Sequence, residues 1–378
     1  MYNQSIFDIF FDAISNEISI ENDILQRLNV HNLSFSPLRS IKTLKYINKY
    51  KISLFMYSLL CIIFIFLSPL YFLVKLVKNI KLNQKIVTIN SNVILLANGK
   101  TRYLYNKLNK NEDYTYININ QKDKKDVVSI HTFLSISDYF KAYILAVSSI
   151  FYILFKLNKK TDILQVYVAF EWFLIFIGLT KIKSNVDTIY FSNHYDRWAV
   201  LFDQLFEEKK NNLIQHGILP DSLNLNYRLK NIKTIYAFDS KSRKLFSKMY
   251  NSKNIIFRII DLKIKLNKIK LNKDKKCILI IGQPHSMDRE IEIINYIKDR
   301  FTIYVKPHPL FESAPYKLID SINVIEKKDF YPEVDLALCY ESTLGLEYEA
   351  SGMNVIWWKD LNIEEIVSEI IQREIINV

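Results

Sequence analysis

The residues with most to offer chemically stand where apolar runs end. Lys306-Pro307-His308-Pro309 closes a strand-like run over 301–305, and its two prolines fix the backbone around the imidazole. A histidine held this way can donate to a phosphate or protonate a leaving group, and Lys306 adds positive charge. Ser342-Thr343 opens a stretch with helical spacing over 343–350, followed by Gly352 as a stop signal. Free N–H groups and the dipole at a helix start favour an anion, and the same pair also serves as a plain N-cap. Gln283, in Gly282-Gln283-Pro284, follows the apolar run 277–281. Earlier in the chain, Gln215-His216-Gly217 ends a short strand, and its glycine permits close approach of backbone or substrate. Asn193-His194-Tyr195-Asp196-Arg197 ends another. His216, Asp196 and His194 are the candidates for a general base there. Asp196 reads equally as a helix cap or as a partner of Arg197.

Such residues need a scaffold that brings strand ends together. Strand patterns at 188–192, 212–215 and 234–238 alternate with helical spacing over 197–208 and 240–250. Beyond residue 277 the alternation sharpens, with strands at 277–281, 301–305, 323–325, 336–339 and 355–358 and helices over 288–298, 343–350 and 363–371. Strands alternating with helices predict a parallel sheet covered on both faces, with ligands outside the carboxyl ends of the strands. The expected architecture is α/β with two Rossmann-like domains. An N-terminal helical region spans 1–85, an acceptor-side domain 86–262, a basic linker 263–276 and a nucleotide-binding domain 277–378. The linker repeats Lys-Ile-Lys-Leu-Asn twice before Lys273. A strand is expected over 87–96, ending at the turn signal Asn98-Gly99, and polar loops from there to about residue 126.

A chain of 378 residues with 49% hydrophobic content suffices for two cores and excludes overall disorder. The net charge of +12 suits phosphorylated substrates, anionic lipid or nucleic acid, and no nucleic-acid-binding module accompanies it. Three widely separated cysteines show no metal-ligand spacing, and an odd count points to a reducing cytosol. From 52 to 74 no charged residue occurs, while Lys45, Lys49 and Lys51 flank one end and Lys75, Lys78 and Lys81 the other. About twenty apolar residues suffice to cross a bilayer. Lysine at both ends also suits a hairpin bent at Ser68-Pro69 that dips into the cytoplasmic leaflet. Two further apolar stretches, 143–155 and 163–179, read as a core helix and a core strand. The expected location is the cytoplasm, at the inner face of the membrane.

The pair Lys306-Pro307-His308-Pro309 and Ser342-Thr343 resembles the His-Pro and Ser/Thr motifs of GT-B glycosyltransferases of the sialyltransferase and capsule Kdo transferase group. Gly282-Gln283-Pro284 resembles the Gln-Pro motif of the Kdo enzymes. More distantly, Gln215-His216-Gly217 is similar to the His-Gly loop of CDP-glycerol glycerophosphotransferases, where the histidine acts as a base. The resemblance implies that His308, Ser342 and Thr343 hold the nucleotide phosphate and assist its departure, with Gln283 and Lys306 beside them. The run Ser342…Glu347…Gly352 is similar to sugar-nucleotide sites in which such a glutamate binds ribose, a role that passes to Glu347. The acidic-acidic-Gly motif of the sialyltransferases is absent, and so is any Asp-X-Asp metal motif. The implied activity is metal-independent, inverting transfer of a sugar, with a CMP-linked acidic one among the candidates, onto a bacterial capsule or lipopolysaccharide glycan. The implied partners are a nucleotide-activated sugar as substrate, a lipid-linked or oligosaccharide acceptor and the membrane surface, with no cofactor, no metal and no nucleic acid. The alternatives are a CDP-alditol glycerophosphotransferase and a non-catalytic, membrane-bound component of polysaccharide assembly.

Overall fold

The computed structural model describes residues 5–27, 53–80, 88–97, 100–108, 113–119, 126–219, 224–269, 275–283, 286–308 and 314–376. The chain divides into two compact units at Ile259/Ile260. In each, every strand pairing among the described residues is parallel.

Among the described residues the first unit opens with two long helices, α1 (Ile6–Arg27) and α2 (Leu54–Asn79). Then follow β1 (Asn92–Leu96), α3 (Thr101–Asn106), β2 (Tyr114–Asn118), β3 (Val128–Ser129), α4 (Ile136–Lys156) and α5 (Ala169–Ile182). The sheet is completed by β4 (Thr188–Phe191), α6 (Arg197–Leu205), β5 (Lys210–Ile214), β6 (Ile232–Ala237), α7 (Ser240–Met249) and β7 (Ile256–Ile259). The strand order is β3-β2-β1-β4-β5-β6-β7. Its core continues into the helices, where Phe10 of α1 packs its ring 4.9 Å from Trp172 and 5.0 Å from Phe173 of α5.

Three expectations are corrected here. The 52–74 segment is no hairpin, because α2 runs unbroken through Pro69. Proline leaves the carbonyl four residues back without its usual donor, and the Ser68 hydroxyl donates to that carbonyl, Ile65 O, at 3.3 Å. The 163–179 stretch is not a strand but a 3-10 stretch, Lys160–Val168, leading into α5. An apolar run buried all round carries no periodicity that separates helix from strand. The polar region after residue 98 holds β2, which pairs with β1 in register from Asn92↔Tyr114 to Leu96↔Asn118.

The second unit contains β8 (Cys277–Ile281), α8 (Met287–Ile297), β9 (Thr302–Lys306), α9 (Ala314–Lys317) and β10 (Ile322–Val324). It ends with β11 (Leu336–Cys339), α10 (Thr343–Ala350), β12 (Val355–Trp357) and α11 (Ile363–Ile376). The order is β10-β9-β8-β11-β12. Side chains alternate across the sheet, and here both faces are buried. Ile278 and Ile280 join one core with Ile303, Val305, Leu338 and Ile356; Cys277, Leu279 and Ile281 join another with Ala337, Cys339 and Val355. Residues from the expected linker pack within this unit: the Ile264 N–H donates to Ser351 Oγ (2.9 Å) and the Asn267 N–H to Tyr331 O (2.7 Å). Residues 270–274 of that stretch lie outside the described residues, as do Pro284 and Pro309.

Candidate functional site

In the second unit the chain runs from β8 outward through β9 to β10, and from β11 outward to β12. The order therefore reverses between β8 and β11. At such a switch point the two following loops diverge and leave a crevice at the carboxyl ends. The loop after β8 carries Gln283 and the loop after β11 carries Ser342 and Thr343, so these flank the crevice. His308, two residues past β9, comes from the strand next to β8 and is half-buried.

A buried carboxylate organises the first of these loops. Glu290 Oε1 accepts from the Gln283 N–H (2.9 Å) and from Ser286 Oγ (2.7 Å), and the Tyr316 hydroxyl donates to Oε2. Burial pushes the Glu290 carboxyl above its ordinary range, and those three hydrogen bonds oppose the push. Gly282 has little room: a Cβ there would stand 3.1 Å from the Tyr316 hydroxyl oxygen and 3.2 Å from Pro307 Cα. The loops after β8 and β9 thus meet at backbone distance. The sequence did hold a signal for Glu290, a carboxylate on the same buried stripe as Ile293, Ile294 and Ile297.

Lys306 has a structural task. Its ammonium donates to three carbonyls, Lys327 O (3.0 Å), Lys328 O (3.0 Å) and Phe330 O (2.9 Å), and lies 4.9 Å from the centre of the Tyr331 ring. An ammonium has three N–H donors, so this tie engages all of them. Burial draws its pKa down.

Ser342 caps α10, its Oγ accepting from the Leu344 N–H at 3.3 Å. The helix lies close on the sheet because Gly345 has no side chain: a Cβ there would fall 2.6 Å from Trp357 and 2.7 Å from Cys339 Sγ. Past its end, Gly352 takes φ +86°, the left-handed conformation a helix stop requires. Glu347, one turn along from Thr343, is half-buried, and its charge helps burial raise the Tyr331 phenol. Glu341 pairs with Lys359 at 2.9 Å.

The first unit has its own switch point, between β1 and β4. Thr101 Oγ1 and Ser192 Oγ lie 2.5 Å apart across it. Next along the sheet, the His194 and His216 rings stand 4.2 Å apart, and the His216 N–H donates to His194 Nε2 (3.1 Å). His194 is fully enclosed, with the Tyr250 hydroxyl donating to its carbonyl (2.7 Å) and Phe246 against its ring. Burial, reinforced by the His216 ring, holds its pKa well below the usual histidine value. His216 is half-buried; burial takes it down to about 4, the Lys100 charge adds to this, and a hydrogen bond to the Ser192 backbone opposes it. Its Nδ1 is buried and has no hydrogen-bond partner among the described residues. Gln215 steadies the loop, donating to Gly217 O (3.0 Å) and Ser242 Oγ (3.0 Å) and accepting from the Phe238 N–H (2.8 Å). At Gly217 a Cβ would meet nothing within 4 Å among the described residues.

Asp196 is a helix cap. Its Oδ1 accepts from the Trp198 and Ala199 N–H groups, both at 3.0 Å, and its Oδ2 from Asn193 Nδ2 (2.6 Å). Arg197 turns away to pair with Glu17 of α1, Nη2 to Oε2 at 2.6 Å. Lys100, Thr101 and Ser192 at this site were not singled out from the sequence. Only the sheet order brings them beside His216.

A concavity of about 630 Å³ in the second unit, lined by Lys276, Phe301, Leu336, Asn354 and Arg373, opens at the amino ends of the strands. It includes none of the candidate residues. Among the described residues, no cluster of His, Cys, Asp or Glu could hold a metal ion. No protein-family model and no curated protein matches the chain.

Proposed function

We propose that the chain is a GT-B glycosyltransferase that moves a sugar from a nucleotide donor to a capsule or lipopolysaccharide glycan at the cytoplasmic face of the membrane. The observation that carries this reading is the switch point of the second sheet, which sets Gln283 after β8 and Ser342-Thr343 after the adjacent β11, with His308 after the neighbouring β9. Backbone N–H groups at the start of α10, two hydroxyls and an imidazole suit a departing phosphate. Glu347, one turn further on, is assigned the ribose. Lys306 shapes the 327–330 turn and is left out of the phosphate set.

His216 is the base in this reading. In a neutral ring one nitrogen carries the proton and the other a lone pair, so neutral His216 can accept a proton. It would take the proton of an acceptor hydroxyl as that oxygen attacks the anomeric carbon. The bond from that carbon to the phosphate oxygen breaks, and the nucleotide leaves with the electron pair, inverting the centre. Asp196, with both oxygens engaged at the cap, is the weaker candidate.

Thermal shift of the full chain with CMP, CDP, UDP and their sugar conjugates tests the donor site. Stabilisation by a pyrimidine nucleotide, lost in His308→Ala, is expected. If none of them binds, the enzyme reading fails and the non-catalytic alternative takes its place. Product analysis separates the transferases: a phosphodiester formed from a CDP-alditol would overturn the glycosyl assignment.

A further inference from the structure

Two helices of the first unit present apolar faces that no described residue covers. On α2, Phe55, Phe66 and Val77 are 75%, 75% and 69% exposed; on α4, Ile144, Phe151 and Phe155 are 62%, 56% and 83% exposed. The α4 residues follow at intervals of seven and four, which is one stripe of a helix. Its opposite stripe, including Ala142, Ala146 and Ile153, is buried in the core. On α2 only a narrow stripe, Tyr57, Cys61, Ser68, Phe72 and Leu76, is buried, while Phe55, Met56, Ile62, Phe66, Leu67 and Leu70 are open. The two helices pack on each other. An apolar surface of this extent marks an interaction site.

Charge identifies the occupant. No charged residue lies between Leu54 and Val74, whereas Lys78 beyond that stretch, and Lys141 and Lys159 on and beyond α4, are exposed. The chain as a whole carries +12. An apolar face rimmed by lysine fits the boundary between headgroups and acyl chains in a bilayer containing anionic lipid.

The orientation follows from what holds α4. Near its start Asp138 pairs with Lys181 of α5, and at its end Lys156 pairs with Asp8 of α1. Both α1 and α5 belong to the α/β core, joined by the Phe10–Trp172 contact and, through Glu17, to Arg197 at the start of α6. A helix crossing the bilayer would have to take one of these elements through it. α2 packs against α4 and the Lys160–Val168 stretch, and Lys75 pairs with Glu171 of α5 at 2.7 Å. At 26 residues it is about 39 Å long and lies along the unit for most of that length.

We infer that α2 and α4 together form a single membrane-binding face that lies in the plane of one leaflet of an anionic bilayer, rather than α2 spanning it. This deepens the membrane association proposed above and does not depend on the reaction catalysed.

The test uses flotation of the full chain with phosphatidylcholine vesicles, with and without one fifth phosphatidylglycerol. Binding is expected to be several-fold stronger with the anionic lipid. Phe140→Ser, Phe151→Ser and Phe155→Ser together should lower it about tenfold while leaving the circular dichroism unchanged, because these side chains are exposed. In sealed vesicles, Ser53→Cys and Asn79→Cys should react with an impermeant maleimide from the same side. Absence of vesicle binding overturns the membrane reading itself, and a stable dimer formed through this face without lipid does the same. Binding untouched by the α4 substitutions, equal binding to neutral vesicles, or residues 53 and 79 on opposite sides overturns the in-plane face while leaving membrane association standing.

Discussion

His216 combines a depressed pKa with a buried nitrogen that has no partner among the described residues, and both have measurable consequences. Its folded pKa of about 4 lies below the ordinary histidine value of 6.5, so between these the unfolded chain binds the proton that the folded chain refuses. Its contribution to stability is therefore fully present above pH 6.5 and is lost as pH falls toward 4. Allowing for partial exposure, the loss is roughly 1–3 kcal/mol. Urea unfolding of the parent and His216→Gln across this range should show the difference between them shrinking by that amount as pH drops. In catalysis, a base with this pKa is available throughout the neutral range, and the acid limb of the rate should fall near pH 4–5 instead of 6–7. Asp196 is separable from it. Asparagine caps a helix about as well as aspartate, so Asp196→Asn should retain activity, whereas loss of a general base costs about 10²–10⁴-fold. A drop of that size in Asp196→Asn, with His216→Gln active, would exchange the two roles. The sequence presented both residues as candidates, His216 ahead of Asp196. Their difference lies in the cap bonds of Asp196 and the contacts of His216 with Ser192 and Lys100, about twenty and more than a hundred residues away along the chain.

At the scale of elements, the strands of the second sheet were readable to within a residue or two, since apolar runs such as 277–281 are bounded by polar turns. The same feature misled over 163–179, because α5 is buried on nearly every side and shows no polar stripe. β2 was hidden by its setting among Lys- and Asn-rich segments, and only its pairing with β1 identifies it. Pro69 suggested a bend that a hydroxyl one residue earlier makes unnecessary. The placing of Ser342 and Thr343 depends on the fit of α10 against the sheet, which rests on Gly345. Gly345→Ala should force the helix off Trp357 and Cys339, with a cost of about 1–3 kcal/mol in unfolding free energy and weakened nucleotide binding. The contrasting change is Gly217→Ala, which meets nothing within 4 Å among the described residues and should leave both measurements within about 0.5 kcal/mol of the parent. Lys306→Met belongs with the first, since it removes three hydrogen bonds that tie the 327–330 turn to the end of β9. It is expected to destabilise by about 1–3 kcal/mol. A loss of nucleotide affinity without loss of stability in Lys306→Met would restore that lysine to the phosphate site.

At the scale of the whole molecule, composition and alternation were enough to predict two α/β units, while the pairing of switch points with particular side chains required the strand order. Only the order β10-β9-β8-β11-β12 makes Gln283 and Ser342 neighbours across a crevice, although 58 positions separate them in the chain. That crevice is built entirely from residues after Ile260, as are both cores around its sheet. A unit of this size with its own core meets the ordinary requirements for independent folding. Residues 260–378 expressed alone should therefore unfold cooperatively and bind the same pyrimidine nucleotide as the full chain. The affinity should agree within about threefold, a difference of roughly 0.6 kcal/mol. Calorimetric titration of the two proteins makes the comparison. A fragment that folds but does not bind, beside a full chain that does, would show that Gln283, His308, Ser342 and Thr343 do not by themselves make the donor site. Binding by the fragment that disappears in His308→Ala with the melting curve unchanged would assign the nucleotide to this crevice and leave His216 to the acceptor.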